Sequence, residues 1–342
     1  MNNMLKRGKK FLSRKTVGNK HEEGDVSEPQ SAYAVEEEHV QENHARDVDS
    51  EDGLEVVPDK DCGKPNSSLV LQVGMDAEFM AYDEDEPVYP YLDEKHDLKK
   101  HGCDEFGHCV EVRPRQAKSG QDLVTNIMGT MAGLPEHLRY RLENVHFMTR
   151  KDYVSLLRKQ GVKRISESHN VYGSDVLNEC PLDIKAIETG KRLVFCGMHV
   201  HVSTMFKAGV PAHDPKTGKY THTEHAEIEL PIMTRTLVRI FDRVMFAMLE
   251  GDENFNVGRY RSPGFFEVKA SHHMEYRSLG ATAFTPQRVK LIADIAIEVM
   301  KHIDLLSKGG VVTETIFKLM EKLKKTKPYD GDDIRKIWVP WE

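Results

Sequence analysis

Cysteine is scarce in this chain of 342 residues, and long apolar runs are missing altogether. Five cysteines are too few, and odd in number, for a disulfide framework, so we expect a reducing, cytoplasmic setting. No run approaches the roughly 18 apolar residues that span a bilayer, so we expect no membrane partner. Residues 1–20 contain no long apolar core, and we therefore expect no signal peptide.

The motifs of several enzyme classes are also lacking. There is no GxxxxGK(S/T) phosphate loop, no GxGxxG and no kinase HRD or DFG set, and nothing marks a Ser/His/Asp or Cys/His nucleophile. The net charge of −7 gives no global basic field for nucleic acid. If ATP binds, metal ions and cationic side chains on a sheet must hold its phosphates, because no glycine-rich helix N-terminus is available.

The first 66 residues differ in composition from the rest of the chain. Residues 1–20 carry seven basic side chains and no acid, whereas acids dominate the residues that follow. A charge-segregated segment with few aromatics cannot bury enough apolar surface to offset its ordering entropy. We therefore predict a disordered charged tail at 1–66 and a single globular domain at 67–342. The basic start is a weak argument for nucleic acid binding, since a solvated tail is the simpler explanation.

From residue 67 onward, strand patterns and amphipathic helix patterns follow one another without a regular βαβ period. This favours an α+β fold on a mainly antiparallel sheet over a doubly wound one. Residues 162–188 are predicted to be irregular. Strands are predicted at Leu69–Ala81, Cys109–Arg113, Leu193–Thr204, Phe265–Lys269 and His273–Ser278. Helices are predicted at Gln121–Arg141 (with Gly133 and Pro135 as candidate breaks), Lys151–Gln160, Pro231–Leu249, Gln287–Leu306 and Thr313–Lys325.

Four of the predicted strands carry ionisable side chains two residues apart. Residues i and i+2 of an extended chain point to the same side of a sheet, so each strand has one charged and one apolar face. Together the charged faces predict one sheet surface that holds cations and phosphate. The charged pairs are Asp76/Glu78, Glu111/Arg113, His199/His201 and Glu275/Arg277. The apolar residues of the opposite face are Met75, Val110, Val112, Val200, Val202, Met274 and Tyr276.

The carboxylates on these strands make a metal site the first hypothesis. Asp76 and Glu78 lie about 6–7 Å apart along one strand face, where they repel each other unless a cation neutralises them. Oxygen ligands in this arrangement suit Mg²⁺ or Mn²⁺, and Glu111 and Glu275 add further carboxylates. The alternative is a strand at the sheet edge with its acids in water.

The histidines and the basic residues have less specific patterns. Of His199 and His201, one is a candidate ligand for a second cation or a phosphate contact, and the other a structural imidazole. Four basic side chains offer fixed positive charge to clamp phosphate oxygens. For Arg259 and Arg261, which lie in a predicted loop, a solvated side chain is the alternative. The candidate phosphate-binding residues are Arg259, Arg261, Lys269 and Arg277.

The segment around the start of the second predicted strand contains residue types that bind zinc. His101, Cys103, His108 and Cys109 supply suitable ligand types, but their spacing lacks the usual paired CxxC form. We therefore do not expect zinc at this set of residues.

The order of the motifs is more specific than any one of them. A GxDxE strand is followed by GxDxxGxxxEVRP, then by GxHxHV, and then by a basic loop that ends in KxxxxxEYRxL. This order, from Gly74 to Gly280, resembles the carboxylate–amine ligases related to glutamine synthetase and glutamate–cysteine ligase. It looks closest to the phage-encoded COOH-NH2 ligase type 2 family. Two departures are Met198, where the family often has a second glycine, and Asp76, where related enzymes commonly have glutamate.

The resemblance implies a curved, mainly antiparallel glutamine synthetase-like sheet with helices on its outer face, and a catalytic domain at 67–342. It also implies ATP with two or more Mg²⁺ or Mn²⁺ ions, and amide bond formation through an acyl phosphate. Small-molecule or peptide carboxylates and amines would be the substrates, and a phage-encoded enzyme would work in the host cytoplasm. The implied metal ligands are Asp76, Glu78, Glu111, His199, His201 and Glu275. The implied catalytic residues are Arg277, Lys269 and Glu111.

Two other functions compete with the ligase. A phosphotransferase on the same scaffold would phosphorylate a guanidino or amino group and stop there. A virion-associated binding protein would have kept the fold after losing activity. The sequence leaves the substrates and the oligomeric state open.

Overall fold

In the computed structural model, the 15-residue strand β2 (Leu69–Asp83) forms the centre of an eight-stranded sheet. Its alternation of apolar and polar residues is typical of a strand with one buried face. The structure describes residues 54–64, 69–104, 107–159, 191–206, 210–213, 220–223, 226–227, 230, 232, 234–249 and 263–339. All of these residues belong to one compact unit, 52–342.

Fourteen strands and seven α-helices lie in the described part of the chain. The strands are β1 (Glu55–Val57), β2, β3 (Glu86–Val88), β4 (Val110–Val112), β5 (Arg139–Arg141), β6 (Val145–Met148), β7 (Arg192–Phe195), β8 (Gly197–Phe206), β9 (Val210–His213), β10 (Tyr220–Thr223), β11 (Ala226–Glu227), β12 (Phe266–Ala270), β13 (His273–Gly280) and β14 (Val311–Thr313). The helices are α1 (Gly120–Met131), α2 (Arg150–Lys159), α3 (Thr234–Phe241), α4 (Ala247–Leu249), α5 (Pro286–Lys301), α6 (Ile303–Leu306) and α7 (Glu314–Lys324).

The main sheet is antiparallel at every pairing between its strands. Strand β2 pairs with β8 along residues 69–77, β8 pairs with β13, and β13 pairs with β12. On its other edge β2 pairs with β4 through residues 77–79, and its C-terminal end pairs with β3 and β5. The sheet curls into a half-barrel, and the fold is mixed α/β. This arrangement agrees with the predicted α+β class and its mainly antiparallel sheet.

One face of the sheet is the wall of the hydrophobic core. All seven residues predicted to line the apolar face are 2% exposed or less, which confirms that prediction. Helices α1 and α5 pack behind β2, and α7 packs on α5. The helices begin where the sequence supplies caps: Ser119 accepts a hydrogen bond from the Asp122 amide, and Thr285 accepts one from the Arg288 amide. Packing of the apolar side chains on this face leaves the charged side chains together on the other.

The predicted helix Gln121–Arg141 is wrong in its second half. Helix α1 ends at Met131, and the chain then forms β5, which pairs with β2. The candidate breaks at Gly133 and Pro135 lie between the two elements. Tyr140 is fully buried and packs edge-on against Phe79, with ring centroids 5.7 Å apart. Core packing of this tyrosine therefore overrides the helical pattern.

Three other predicted elements are each divided in the structure. The predicted strand Leu193–Thr204 is two strands, β7 and β8, separated at Cys196, whose amide donates to the Asn144 carbonyl at 3.1 Å. The predicted helix Gln287–Leu306 is interrupted at His302 between α5 and α6. The predicted helix Pro231–Leu249 contains a π-helical turn, Asp242–Phe246, between α3 and α4. In this turn Asp242 accepts a 2.6 Å hydrogen bond from the Tyr276 hydroxyl.

The end of the predicted disordered tail contains a strand. Strand β1 pairs in parallel with β14, and Asp59 accepts hydrogen bonds from the amide and hydroxyl of Thr315 at 3.1 and 2.6 Å. These contacts are mostly main-chain and polar, so an argument from apolar composition does not detect them. Residues 1–53 and 65–66, the rest of the predicted tail, lie outside the described residues, as does the predicted irregular segment 162–188.

The helices of the described segments were also compared with the dimensions of a bilayer. None of them combines the length and the apolar character that a transmembrane span requires.

Candidate functional site

The register of the central strands places the charged residues side by side. Along the pairing of β2 with β8, Asp76 lies opposite His199. On the other edge of β2, Glu78 lies opposite Glu111 of β4. Opposed residues on neighbouring antiparallel strands project from the same face, so side chains from three strands meet on the charged side of the sheet.

Glu78, Glu111 and His199 form the centre of this surface and are called the Glu78 cluster below. One ligand atom from each lies within 4.8 Å of the other two, and the three residues are 6%, 6% and 2% exposed. The Gly197 amide donates to Glu78 Oε2 at 2.8 Å and fixes that carboxylate. The two carboxylates are hard oxygen donors that fit Mg²⁺ or Mn²⁺, and the imidazole adds a borderline nitrogen donor that softer divalent ions also accept.

Glu275 extends the Glu78 cluster towards β13. His199 Nδ1 lies 2.8 Å from Glu275 Oε1, and His199 Nε2 lies 3.8 Å from Glu78 Oε1. Holding Nδ1 against a carboxylate orients the ring and turns Nε2 towards Glu78, an arrangement that is common around metal-ligating histidines. Burial opposes the charge of Glu275, but the hydrogen bond and charge of His199, followed by the charge of Arg277, lower the pKa of Glu275 well below its usual value.

Lys269 and Arg277, called the cation pair below, lie beside Glu275. Lys269 Nζ is 2.7 Å from both Glu275 Oε2 and Glu267 Oε2. Arg277 contacts the same two acids, at 3.4 Å to Glu275 Oε1 and 3.1 Å to Glu267 Oε2. Burial opposes the charge of Lys269, but its hydrogen bonds to both glutamates raise the pKa of its ammonium group. The cation pair therefore brings fixed positive charge next to the Glu78 cluster.

Asp76 and His201 form a second, separate pair. His201 Nε2 lies 2.9 Å from Asp76 Oδ2, and His201 Nδ1 lies 3.0 Å from His273 Nε2. Burial and the charge of His201 lower the pKa of His273. Opposite His201, the absence of a Cβ at Gly74 lets Gln116 pack closely, because a Cβ there would stand 2.9 Å from Gln116 Cγ. The two contacts of His201, with Asp76 and with His273, both involve residues outside the Glu78 cluster.

Glu111 is a buried acid of the Glu78 cluster with a perturbed ionisation. Burial and the neighbouring charge of Glu78 raise the pKa of Glu111 to about 8, although its ion pair with Arg113 opposes the shift. A carboxyl in this position holds a proton near neutral pH unless a cation replaces that proton. The same surroundings that raise the pKa thus favour cation binding.

The raised pKa of Glu111 predicts a pH dependence of stability in the metal-free protein. A carboxyl with a folded-state pKa of about 8 and an ordinary value of 4.5 stabilises the fold fully below about pH 4.5. That contribution is lost as the pH rises through 8. In chelator-treated protein, Glu111→Gln should therefore gain stability relative to wild type between about pH 5.5 and about pH 8.5, by on the order of 1–3 kcal/mol.

Urea unfolding at both pH values measures this difference. The exposed Glu136→Gln variant is the matched control, for which we expect no comparable change. A Glu111→Gln difference that is independent of pH, or that changes in the opposite direction, would contradict the raised pKa.

The structure thus brings together most of the candidate residues. Glu78, Glu111, His199 and Glu275 form one connected group, with Lys269 and Arg277 at its side, whereas Asp76 and His201 form the second pair. Arg259 and Arg261 lie outside the described residues.

Two residues of this surface received no role in the sequence interpretation. Glu267 lies opposite Glu275 in the β12–β13 hairpin and contacts both members of the cation pair. His273 contacts His201. The period of two was a usable signal for both, since Glu267 precedes Lys269 by two residues and His273 precedes Glu275 by two.

The chain was compared with protein-family models, with curated proteins and with solved structures. None of the three comparisons gives a match. The functional interpretation therefore depends on the geometry of the site and on the order of the motifs.

Proposed function

We propose that the protein is an ATP-dependent carboxylate–amine ligase that requires Mg²⁺ or Mn²⁺ and has a glutamine synthetase-like catalytic domain. The observation that carries the proposal is the convergence of Glu78, Glu111, His199 and Glu275 on one buried surface with the cation pair beside them. The curled antiparallel sheet and the order of the motifs support the same function.

The donor set fits the metal that the proposal needs. Glu78, Glu111 and His199 would hold one ion, and Glu275 would contribute to an adjacent position. A bound divalent ion neutralises phosphate oxygens and makes the phosphorus atom more open to attack. Because several carboxylates face one another here with little solvent, they bind a cation more favourably than the same acids would in water.

The chain's own residues supply the positioning. Phosphoryl transfer needs alignment and charge neutralisation more than covalent help. Arg277 offers a planar fork for phosphate oxygens, and the partly exposed Lys269 adds a second positive charge. In the overall reaction a carboxylate, an amine and ATP give an amide, ADP and phosphate. A carboxylate of this surface accepts the proton that the amine loses as the amide forms.

The test is a screen for ADP release over pooled carboxylates and amines with Mg²⁺ or Mn²⁺, with products identified by mass spectrometry. The proposal expects metal-dependent formation of an amide together with ADP and phosphate. A stable phosphorylated guanidino or amino product would instead identify a phosphotransferase. If the protein does not bind ATP in the presence of metal, the ligase and the phosphotransferase are both excluded, and a binding protein is favoured.

A further inference from the structure

A second buried group of metal-ligand type lies near the Glu78 cluster and shares no residue with it. It consists of His108, Cys109 and Cys196, which are 5%, 0% and 0% exposed. One ligand atom from each lies within 4.8 Å of the other two, although Cys196 is far from the other two residues in the sequence. Neither cysteine forms a disulfide.

A buried carboxylate orients the imidazole of this group. His108 Nδ1 lies 3.0 Å from Asp104 Oδ2, and Asp104 is itself only 6% exposed. The other carboxylate oxygen accepts hydrogen bonds from the amides of His108 and Cys109, at 2.9 and 3.4 Å. His108 Nε2 lies 3.0 Å from the Phe195 carbonyl oxygen. A carboxylate behind one ring nitrogen is the usual outer shell of a metal-bound histidine, and a bound ion would replace the Nε2 proton that the Phe195 carbonyl oxygen accepts.

The thiols are arranged as ligands rather than as isolated apolar side chains. The sulfur atoms of Cys109 and Cys196 and a ring nitrogen of His108 all lie within 4.8 Å of one another, and no disulfide joins the two sulfurs. The thiolate is the form that binds metal ions. Asp104 and His108 are both buried, and their ion pair holds an imidazole beside the two thiols.

We propose that His108, Cys109 and Cys196 bind Zn²⁺, with Asp104 orienting the imidazole. Zinc binds sulfur at about 2.3 Å and nitrogen at about 2.0–2.1 Å in a tetrahedron, so its ligand atoms stand roughly 3.5 Å apart. Ligand atoms already within 4.8 Å need shifts on the order of 1 Å to reach that spacing. The Phe195 carbonyl oxygen lies next to the imidazole and is the candidate fourth ligand.

The position of the group gives this ion a structural role. Cys109 directly precedes β4, which carries Glu111, and Cys196 directly precedes β8, which carries His199. The Gly197 amide, one residue beyond Cys196, donates to Glu78. An ion held by Cys109 and Cys196 would fix the beginnings of two strands that supply the Glu78 cluster. The inference does not depend on the ligase activity, since it concerns different side chains and a softer ion.

The experiment measures metal in the full-length protein, purified without chelator and under reducing conditions. We expect about one tightly bound Zn²⁺ per chain by elemental analysis, and replacement by Co²⁺ should give the near-ultraviolet band of thiolate-to-cobalt charge transfer. The band requires sulfur ligands, so metal at the Glu78 cluster cannot produce it. Failure of this inference is thereby distinguishable from failure of the proposed function.

Variants locate the ion. Cys109→Ser and Cys196→Ser should each lower the zinc content at least about tenfold and remove the charge-transfer band. Cys62→Ser changes a free cysteine outside the group and should leave both unchanged. Absence of zinc and of the band in wild type, a Cys109–Cys196 disulfide in the purified protein, or a band that persists in both variants would overturn the proposal. The zinc content and the cobalt band of the wild-type protein test the proposal even if a variant fails to fold.

Discussion

Replacing Glu275 with glutamine is expected to weaken Mn²⁺ binding by on the order of 10–100-fold and to lower metal-dependent ADP formation by about 100-fold or more. Glutamine keeps the shape of the side chain but removes its charge. His199 Nδ1 then loses the carboxylate 2.8 Å away, and Lys269 and Arg277 lose the buried acid that they share. Titration with Mn²⁺, followed by electron paramagnetic resonance, measures the first effect without requiring knowledge of the substrate.

Glu267→Gln is the matched control for this prediction. Glu267 contacts the same two cations, with Oε2 2.7 Å from Lys269 Nζ and 3.1 Å from Arg277. It is more exposed than Glu275, and it contacts the cation pair from the neighbouring strand β12. We expect Mn²⁺ affinity to change less than about threefold in this variant. Equal losses of Mn²⁺ affinity in the two variants would show that general negative charge, and not the contact with His199, determines binding.

Replacing Arg288 with methionine is expected to lower the free energy of unfolding by about 3 kcal/mol or more. Arg288 is 1% exposed, and its guanidinium group donates to the Thr282 carbonyl at 3.0 Å and to the hydroxyl and carbonyl of Thr326 at 3.0 and 3.2 Å. Methionine fills part of the volume but leaves the buried Thr282 carbonyl and the partly buried Thr326 oxygens without this donor. Because α5 packs behind β2, we also expect weaker metal binding in the destabilised protein.

Lys290→Met on the same helix is the control for Arg288→Met. Lys290 pairs with Asp294 at 2.6 Å, but its side chain is 44% exposed. Partly exposed pairs of this kind contribute less than about 1 kcal/mol. Urea unfolding of both variants gives the comparison. A loss below about 1 kcal/mol for Arg288→Met would contradict the role assigned to the buried guanidinium group.

The strand faces could be predicted from the sequence because they depend on a local rule. Residues two apart in a strand share a face, so the pairing of His199 with His201, or of Glu275 with Arg277, required no knowledge of distant parts of the chain. The apolar face was predicted for the same reason. The end of α1 was not, because Tyr140 joins the core through a contact with Phe79, which is distant in the sequence.

Contacts between strands could not be predicted, because they depend on register and sheet order. The division of the acids into a Glu78 cluster and a separate Asp76–His201 pair follows from how β2, β8 and β4 align. Cys196 is distant in the sequence from His108 and Cys109, so a zinc motif defined by short spacing does not include it. The raised pKa of Glu111 depends on burial beside Glu78, which the strand pattern does not reveal.

The central claim is that side chains from separate strands form one site for a divalent ion and the phosphates of ATP. A crystal structure of the protein with Mn²⁺ and a non-hydrolysable ATP analogue tests it most directly, since anomalous scattering locates manganese. The account predicts an anomalous peak in contact with Glu78, Glu111 and His199, with phosphate oxygens within reach of Arg277. Manganese and nucleotide bound elsewhere, with the Glu78 cluster empty at saturating Mn²⁺, would contradict it.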